Sequence, residues 1–157
     1  MKIIRIAFYK AWNNPKARLL DKTIAVGTFG SYSHVELVLG HYAYSVSNRD
    51  GGVRRKPINV DSLSWKVIEL KVSNTIYRKL ENTLKRSIET DNRTYDLLGA
   101  ILSAVSLCNG VTKKKTYCSK YVSAMLMHHY VLPPSFKICI SPSFLYEELQ
   151  ANGLLYK

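Results

Sequence analysis

The chain is short of cysteine: Cys108, Cys118 and Cys139 are an odd number, three in 157 residues, without metal-ligand spacing. Neither a disulfide framework nor a zinc site is indicated, so reduced thiols with no metal and no cofactor are expected. Acidic residues are scarce as well, with 11 Asp and Glu against 23 Lys and Arg and a formal net charge of +12. That excess favours anionic partners such as nucleic acid, an acidic polymer or an anionic membrane surface. Long apolar runs are missing. The most apolar stretch, Leu97 to Cys108, falls well below the roughly 20 residues a helix needs to span a bilayer. The opening MKIIRIAFYKAW is broken by charge and followed by no small-residue cleavage site, so the expectation is a cytoplasmic product without a signal peptide. Five prolines and eight glycines, beside 46% apolar and 22% charged residues, exclude collagen-like, low-complexity and disordered classes. What remains is one folded domain over residues 1–157 with a core of real size.

Residues 2–9 carry Ile3, Ile4, Ile6 and Phe8 and predict an opening strand. Pro15 marks a helix start, and the segment up to Gly27 or Gly30 reads as a short helix. SHVELVL and YAYSVS alternate on either side of Gly40-His41, so residues 33–47 read as a β-hairpin. Asp50-Gly51-Gly52 turns the chain into the basic VRRKPI, and WKVIELKV over 65–72 is a further strand. Then the period changes. Ile76, Leu80, Leu84 and Ile88 recur every four residues opposite Arg78, Lys79, Glu81, Lys85 and Arg86, which predicts an amphipathic helix capped by Ser73 or Asn74. Asp96 caps a second helix running to about Leu107, and the basic loop Lys113-Lys114-Lys115 follows. Cys118 opens a third helix, striped with Val122, Met125, Leu126 and His129, and Ser141-Pro142 starts a last one that Gly153 ends. Strands followed by helices define an α+β domain.

Cys118 therefore stands at a helix N-terminus, where orphan N–H groups and the helix dipole stabilise a thiolate and can hold an oxyanion. Among the bases, His34 begins a strand, whose rigidity would aim its imidazole at a neighbouring helix end. His41 falls in a turn, and His128 and His129 lie roughly 15 Å from Cys118 along its own helix, out of reach. Glu36 shares the face of His34 and can orient it. Ser45, on the paired strand, is the alternative for that role, whereas Asp96 is first of all a helix cap.

In that order and at these separations, SHVELVL, YSVSNRDGGVRRK, YDLLGAI and YCSKYVSAML resemble the circularly permuted branch of the NlpC-type papain-like cysteine peptidases and acyltransferases. That branch includes lecithin:retinol acyltransferase-like proteins and many small phage and poxvirus proteins, and small phage-encoded hydrolases are the most similar in style. The resemblance covers residues 31–127. It implies a papain-like fold, with an antiparallel sheet of about four to six strands packed on helices and the nucleophile at a helix N-terminus. It also implies Cys118 as nucleophile and His34 as general base. The third residue is where the chain departs from the pattern, with Glu36 at the second position after the histidine and Ser45 or Ser47 on the next strand. Tyr95 and Asp96 match an aromatic-acidic pair that supports the site or its substrate groove, as would Tyr117 and Ser119 beside the nucleophile.

The activity so implied is hydrolysis of a peptide, amide or acyl bond, peptidoglycan peptides among the candidates, in a host cytoplasm or carried in a virion. Two other readings compete. One is an inactive papain-like module using Arg54-Arg55-Lys56 and Lys113-Lys114-Lys115 on nucleic acid or a host protein, and the other is an acyltransferase or thioesterase at a membrane. The lysine triplet ends three residues before Cys118, where it favours a thiolate and an anionic substrate. Nucleic acid is accordingly the less favoured partner.

Overall fold

The computed structural model describes residues 1–10, 31–102, 115–136 and 140–153. Five strands form one antiparallel sheet in the order β4-β3-β2-β1-β5: β1 is Lys2–Tyr9, β2 His34–Leu39, β3 Tyr42–Ser47, β4 Gly52–Pro57 and β5 Trp65–Val72. The sequence expectations for residues 2–9, 33–47 and 65–72 are met. Gly40, at φ 58°, takes the left-handed turn conformation that lets β2 fold back as β3. The predicted helix following Pro15 lies outside the described residues.

Strand alternation sorts the sheet into two unequal faces. Ile4, Ile6 and Phe8 of β1, Val35, Leu37 and Leu39 of β2, Tyr44 and Val46 of β3 and Ile68, Leu70 and Val72 of β5 all enter one buried cluster. Three helices close over them. These are α1 (Asn74–Thr90), α3 (Cys118–His128) and α4 (Pro142–Ala151), contributing among others Leu80, Leu84, Tyr121, Val122, Leu126, Leu145 and Leu149. Burying each such aliphatic side chain contributes on the order of 1.5–3 kcal/mol, so this layer dominates the stability. Among the described residues, the hydrophobic side chains buried on the other face are Ala7, Val38 and Ala43, packed with Ile58, Val60, Trp65 and Val67. His34 and Glu36 belong by alternation to this thinner face, where Glu36 stands opposite Ala7.

The helices begin where the sequence says they should. The Ser73 hydroxyl accepts the Ile76 N–H at the start of α1, and Ser141 accepts the Phe144 N–H ahead of Pro142 at the start of α4. A buried hydrogen bond of 2.7 Å between Ser87 and Tyr121 hydroxyls ties α1 to α3. Two short strands that the sequence does not announce, β6 (Thr94–Tyr95) and β7 (Lys115–Thr116), pair in parallel. They bring the start of helix α2 (Leu97–Leu102) beside the start of α3. The predicted continuation of α2 towards Leu107 lies outside the described residues, as do Lys113 and Lys114. Among the described residues no helix is long and apolar enough to cross a membrane.

Candidate active site

The site forms where two strands part. Ladder pairing between β2 and β3 runs over Leu37–Tyr44, Val38–Ala43 and Leu39–Tyr42 and then stops, whereas β3 and β4 stay paired through Ser45–Arg54 to Ser47–Gly52. Val35, the next residue of β2 whose backbone faces β3, therefore has no strand partner on that side. Its carbonyl instead accepts the Ser45 hydroxyl at 2.8 Å, and its N–H is directed at the sulfur of Cys118. The thiol of α3 thus lies against Val35 and His34 beside the end of the β2–β3 ladder.

Cys118 is 2% exposed and is the first residue of α3. Helix bonding starts with the Tyr121 N–H donating to the Tyr117 carbonyl at 2.9 Å, so the N–H groups of Cys118, Ser119 and Lys120 precede the ladder. Tyr117, the N-cap, makes no side-chain cap bond, and the Ser119 N–H reaches the sulfur. An uncapped helix start leaves these donors to the thiolate and to any oxygen that develops charge beside it.

His34 is bonded on both sides. Its Nε2 lies 3.1 Å from Glu36 Oε1, which leaves Nδ1 as the nitrogen for the Cys118 thiol. Burial opposes charge on the imidazole, but the facing thiolate and the Glu36 carboxylate outweigh it and hold its pKa above the ordinary 6.5. Burial likewise opposes the Cys118 thiolate, yet the imidazolium and the Val35 and Ser119 N–H groups hold the thiol below its usual range. Each of the two groups draws the other toward its charged form, so they titrate as a pair.

Glu36 is the buried carboxylate of the group, its side chain 5% exposed. Burial drives its pKa up, and His34 and Arg54 together drive it further down. Arg54 places one guanidinium nitrogen 2.6 Å from Glu36 Oε1 and another 3.4 Å from Oε2. The sequence reading put Arg54 in a basic cluster and missed this contact. Its signal is the β3–β4 register, which sets Arg54 opposite Ser45 and hence on the Glu36 face.

The other candidates fall into supporting positions. The Ser45 hydroxyl is committed to the Val35 carbonyl, so of the two alternatives for orienting His34 it is Glu36 that makes the contact. Asp96 caps α2, its carboxylate accepting the Gly99 N–H at 2.9 Å, and its own N–H reaches the Thr116 carbonyl at 2.8 Å. Tyr95 packs against the main core in the strand beside β7. The Ser119 hydroxyl donates to the Ile140 carbonyl at 2.6 Å, which fastens the start of α3 to the start of α4. From α4, Ser143 accepts the Tyr32 N–H at 3.0 Å, and the Tyr146 ring packs on Tyr32, two residues before His34. One helix therefore steadies both the nucleophile's segment and the base's. The sequence reading did not single out Ser143 or Tyr146.

Among the described residues no group of three or more His, Cys, Asp or Glu is placed to hold a metal ion. Compared with family models, with curated proteins and with solved structures, the chain has no match in any of the three.

Proposed function

We propose that this chain is a cysteine hydrolase of the amidase or peptidase type, built on a papain-like domain of permuted order. The observation that carries the reading is the contact of Cys118, at the uncapped start of α3, with an imidazole whose other nitrogen faces a buried carboxylate. A thiol, a base and an orienting group within hydrogen-bond reach of one another are the constellation that nucleophilic catalysis needs.

In this mechanism the Cys118 thiolate adds to the carbonyl carbon of an amide or ester, and the carbonyl electron pair moves onto oxygen. N–H groups at the start of α3 receive that oxyanion. Collapse expels the leaving group, which takes the proton from the His34 imidazolium, and an acyl-thioester remains on Cys118. Neutral His34 then accepts a proton from water as the water attacks the thioester, which frees the acid and restores the thiolate–imidazolium pair. Glu36 holds the imidazole in place and balances its charge throughout.

The competing reading as a basic binding module loses its main support in β4. Arg54 is bound to Glu36, Lys56 to Asp50 at 2.5 Å, and Arg55 lies 4.5 Å from the Tyr42 ring centroid. Cations with partners of their own make a poor phosphate-binding strip. The enzyme reading is tested by quenching the protein in acid during incubation with an activated acyl ester such as p-nitrophenyl acetate. The expected result is one added acyl group, mapped to Cys118 by peptide mass spectrometry. Acylation spread over lysines with Cys118 unmodified would contradict it.

A further inference from the structure

The inference concerns what holds Glu36, and it rests on the thiol–imidazole reading above. The β2–β3 ladder ends at Leu37–Tyr44, next to Glu36, and Arg54 reaches the Glu36 carboxylate from β4, one strand further on. Glu36 Oε1 serves both neighbours, Arg54 at 2.6 Å and His34 at 3.1 Å, so the plane of the guanidinium sets the direction of the oxygen that faces the imidazole. Arg54 is itself held. Its Nε forms an ion pair with Asp50 Oδ2 at 2.7 Å without the geometry of a hydrogen bond, and the other Asp50 oxygen lies 2.5 Å from Lys56 Nζ. The turn that carries Asp50 is seated in turn, because a Cβ at Gly52 would come within 2.8 Å of the Arg93 carbonyl oxygen.

We propose that Arg54, seated by Asp50 of the β3–β4 turn, is the positioning residue of the site, fixing the Glu36 carboxylate that aims His34 at Cys118. The series Cys118, His34, Glu36, Arg54, Asp50, Lys56 alternates in charge and runs from a 2%-exposed thiol to a 47%-exposed lysine side chain. Among the described residues, the groups that face the His34–Glu36 pair are Cys118 from α3, Tyr9 from β1 directly across from His34, neutral Ser45 from β3 and Arg54 from β4. A lysine in place of Arg54 would supply charge without the planar fork.

Electrostatics alone and positioning predict opposite signs. A guanidinium beside an imidazolium repels it, so removing a merely electrostatic Arg54 would favour the charged pair and lower the pH at which the thiolate forms. Removing a positioning residue releases Glu36 and raises that pH. The experiment measures iodoacetamide alkylation of Cys118, resolved by peptide mass spectrometry, against pH in the full-length native protein and in Arg54→Lys, Arg54→Met and Asp50→Asn. Arg54→Met is expected to move the acid-side midpoint up by about one unit, roughly a tenfold loss of alkylation rate at mildly acidic pH. Asp50→Asn and Arg54→Lys move it the same way by less. An unchanged or lowered midpoint in Arg54→Met and Asp50→Asn, whatever happens to their melting temperatures, would reduce Arg54 to a structural tie and overturn the proposal alone. An ordinary thiol profile in the native protein would overturn it together with the enzyme reading. Should Arg54→Met not fold, Arg54→Lys decides, because it keeps the charge and loses the fork: a raised midpoint supports positioning and an unchanged one overturns it.

Discussion

Cys118→Ala is expected to fold like the native chain and to lose acyl-ester and amide hydrolysis by roughly 10⁴-fold or more, the scale on which removing a nucleophile falls. The residual rate would come from substrate binding and from the N–H groups at the start of α3, which the substitution leaves in place. Stability should move little, by about 1 kcal/mol at most, because alanine deletes a single heavy atom from a buried position. The deleted thiolate also carried its own cost of burial. The paired measurements are turnover of an activated ester and the melting temperature. Lost turnover with a collapsed melting temperature would report unfolding, whereas lost turnover at unchanged melting temperature reports chemistry.

His34→Ala should cost nearly as much for a different reason. In the proposed mechanism the imidazole does two things: its charge keeps the buried thiol ionised, and its proton goes to the leaving group. General acid–base catalysis by one side chain contributes typically about 10²–10⁴-fold, and here the loss of thiolate adds to it. The Cys118 thiol, then buried without a cation beside it, should rise to or above the ordinary thiol range. Folding is retained because Glu36 keeps Arg54 at 2.6 Å and does not become an unpaired buried charge. Turnover and Cys118 alkylation should therefore fall together at neutral pH. Alkylation that stayed native while turnover fell would mean that His34 serves only as the acid and that the thiolate is stabilised elsewhere.

The sheet and the helix starts were legible because their signals are local. β1 and β5 alternate over eight residues each, and Ser73 and Ser141 cap helices with hydroxyls that any reader of the chain can find. Cys118 and His34 were legible on the same terms, as a cysteine at a helix start and a histidine at a strand start. Arg54 was not. Within its own triplet it is one of three cations, and only the register of β3 on β4, together with the early end of the β2–β3 ladder, sets it against Glu36. Ser45 shows the same limit, since its partner is a carbonyl left unpaired by that ending and not the imidazole. β6 and β7 are two residues long and carry no period at all. Their pairing joins residues about 20 apart in sequence and draws the cap of α2 to the start of α3.

The net charge of +12 takes a more specific meaning in this light. In β4 each cation has a partner within the chain, one of them the carboxylate that faces His34. Lys115, exposed in β7, lies three residues before Cys118 and the start of α3.

The central claim is that Cys118 rests as a thiolate paired with His34, and its alkylation across pH tests this most directly. Iodoacetamide labelling of the native chain, followed peptide by peptide from mildly acidic to alkaline pH, should show Cys118 reacting with a midpoint well below the ordinary thiol value of about 8.5. A second step should follow on the alkaline side of the ordinary histidine range, where the raised His34 loses its proton and the pair becomes a lone thiolate. A single step near 8.5, shared by Cys118, Cys108 and Cys139 in the unfolded chain and in the native one alike, would contradict the account.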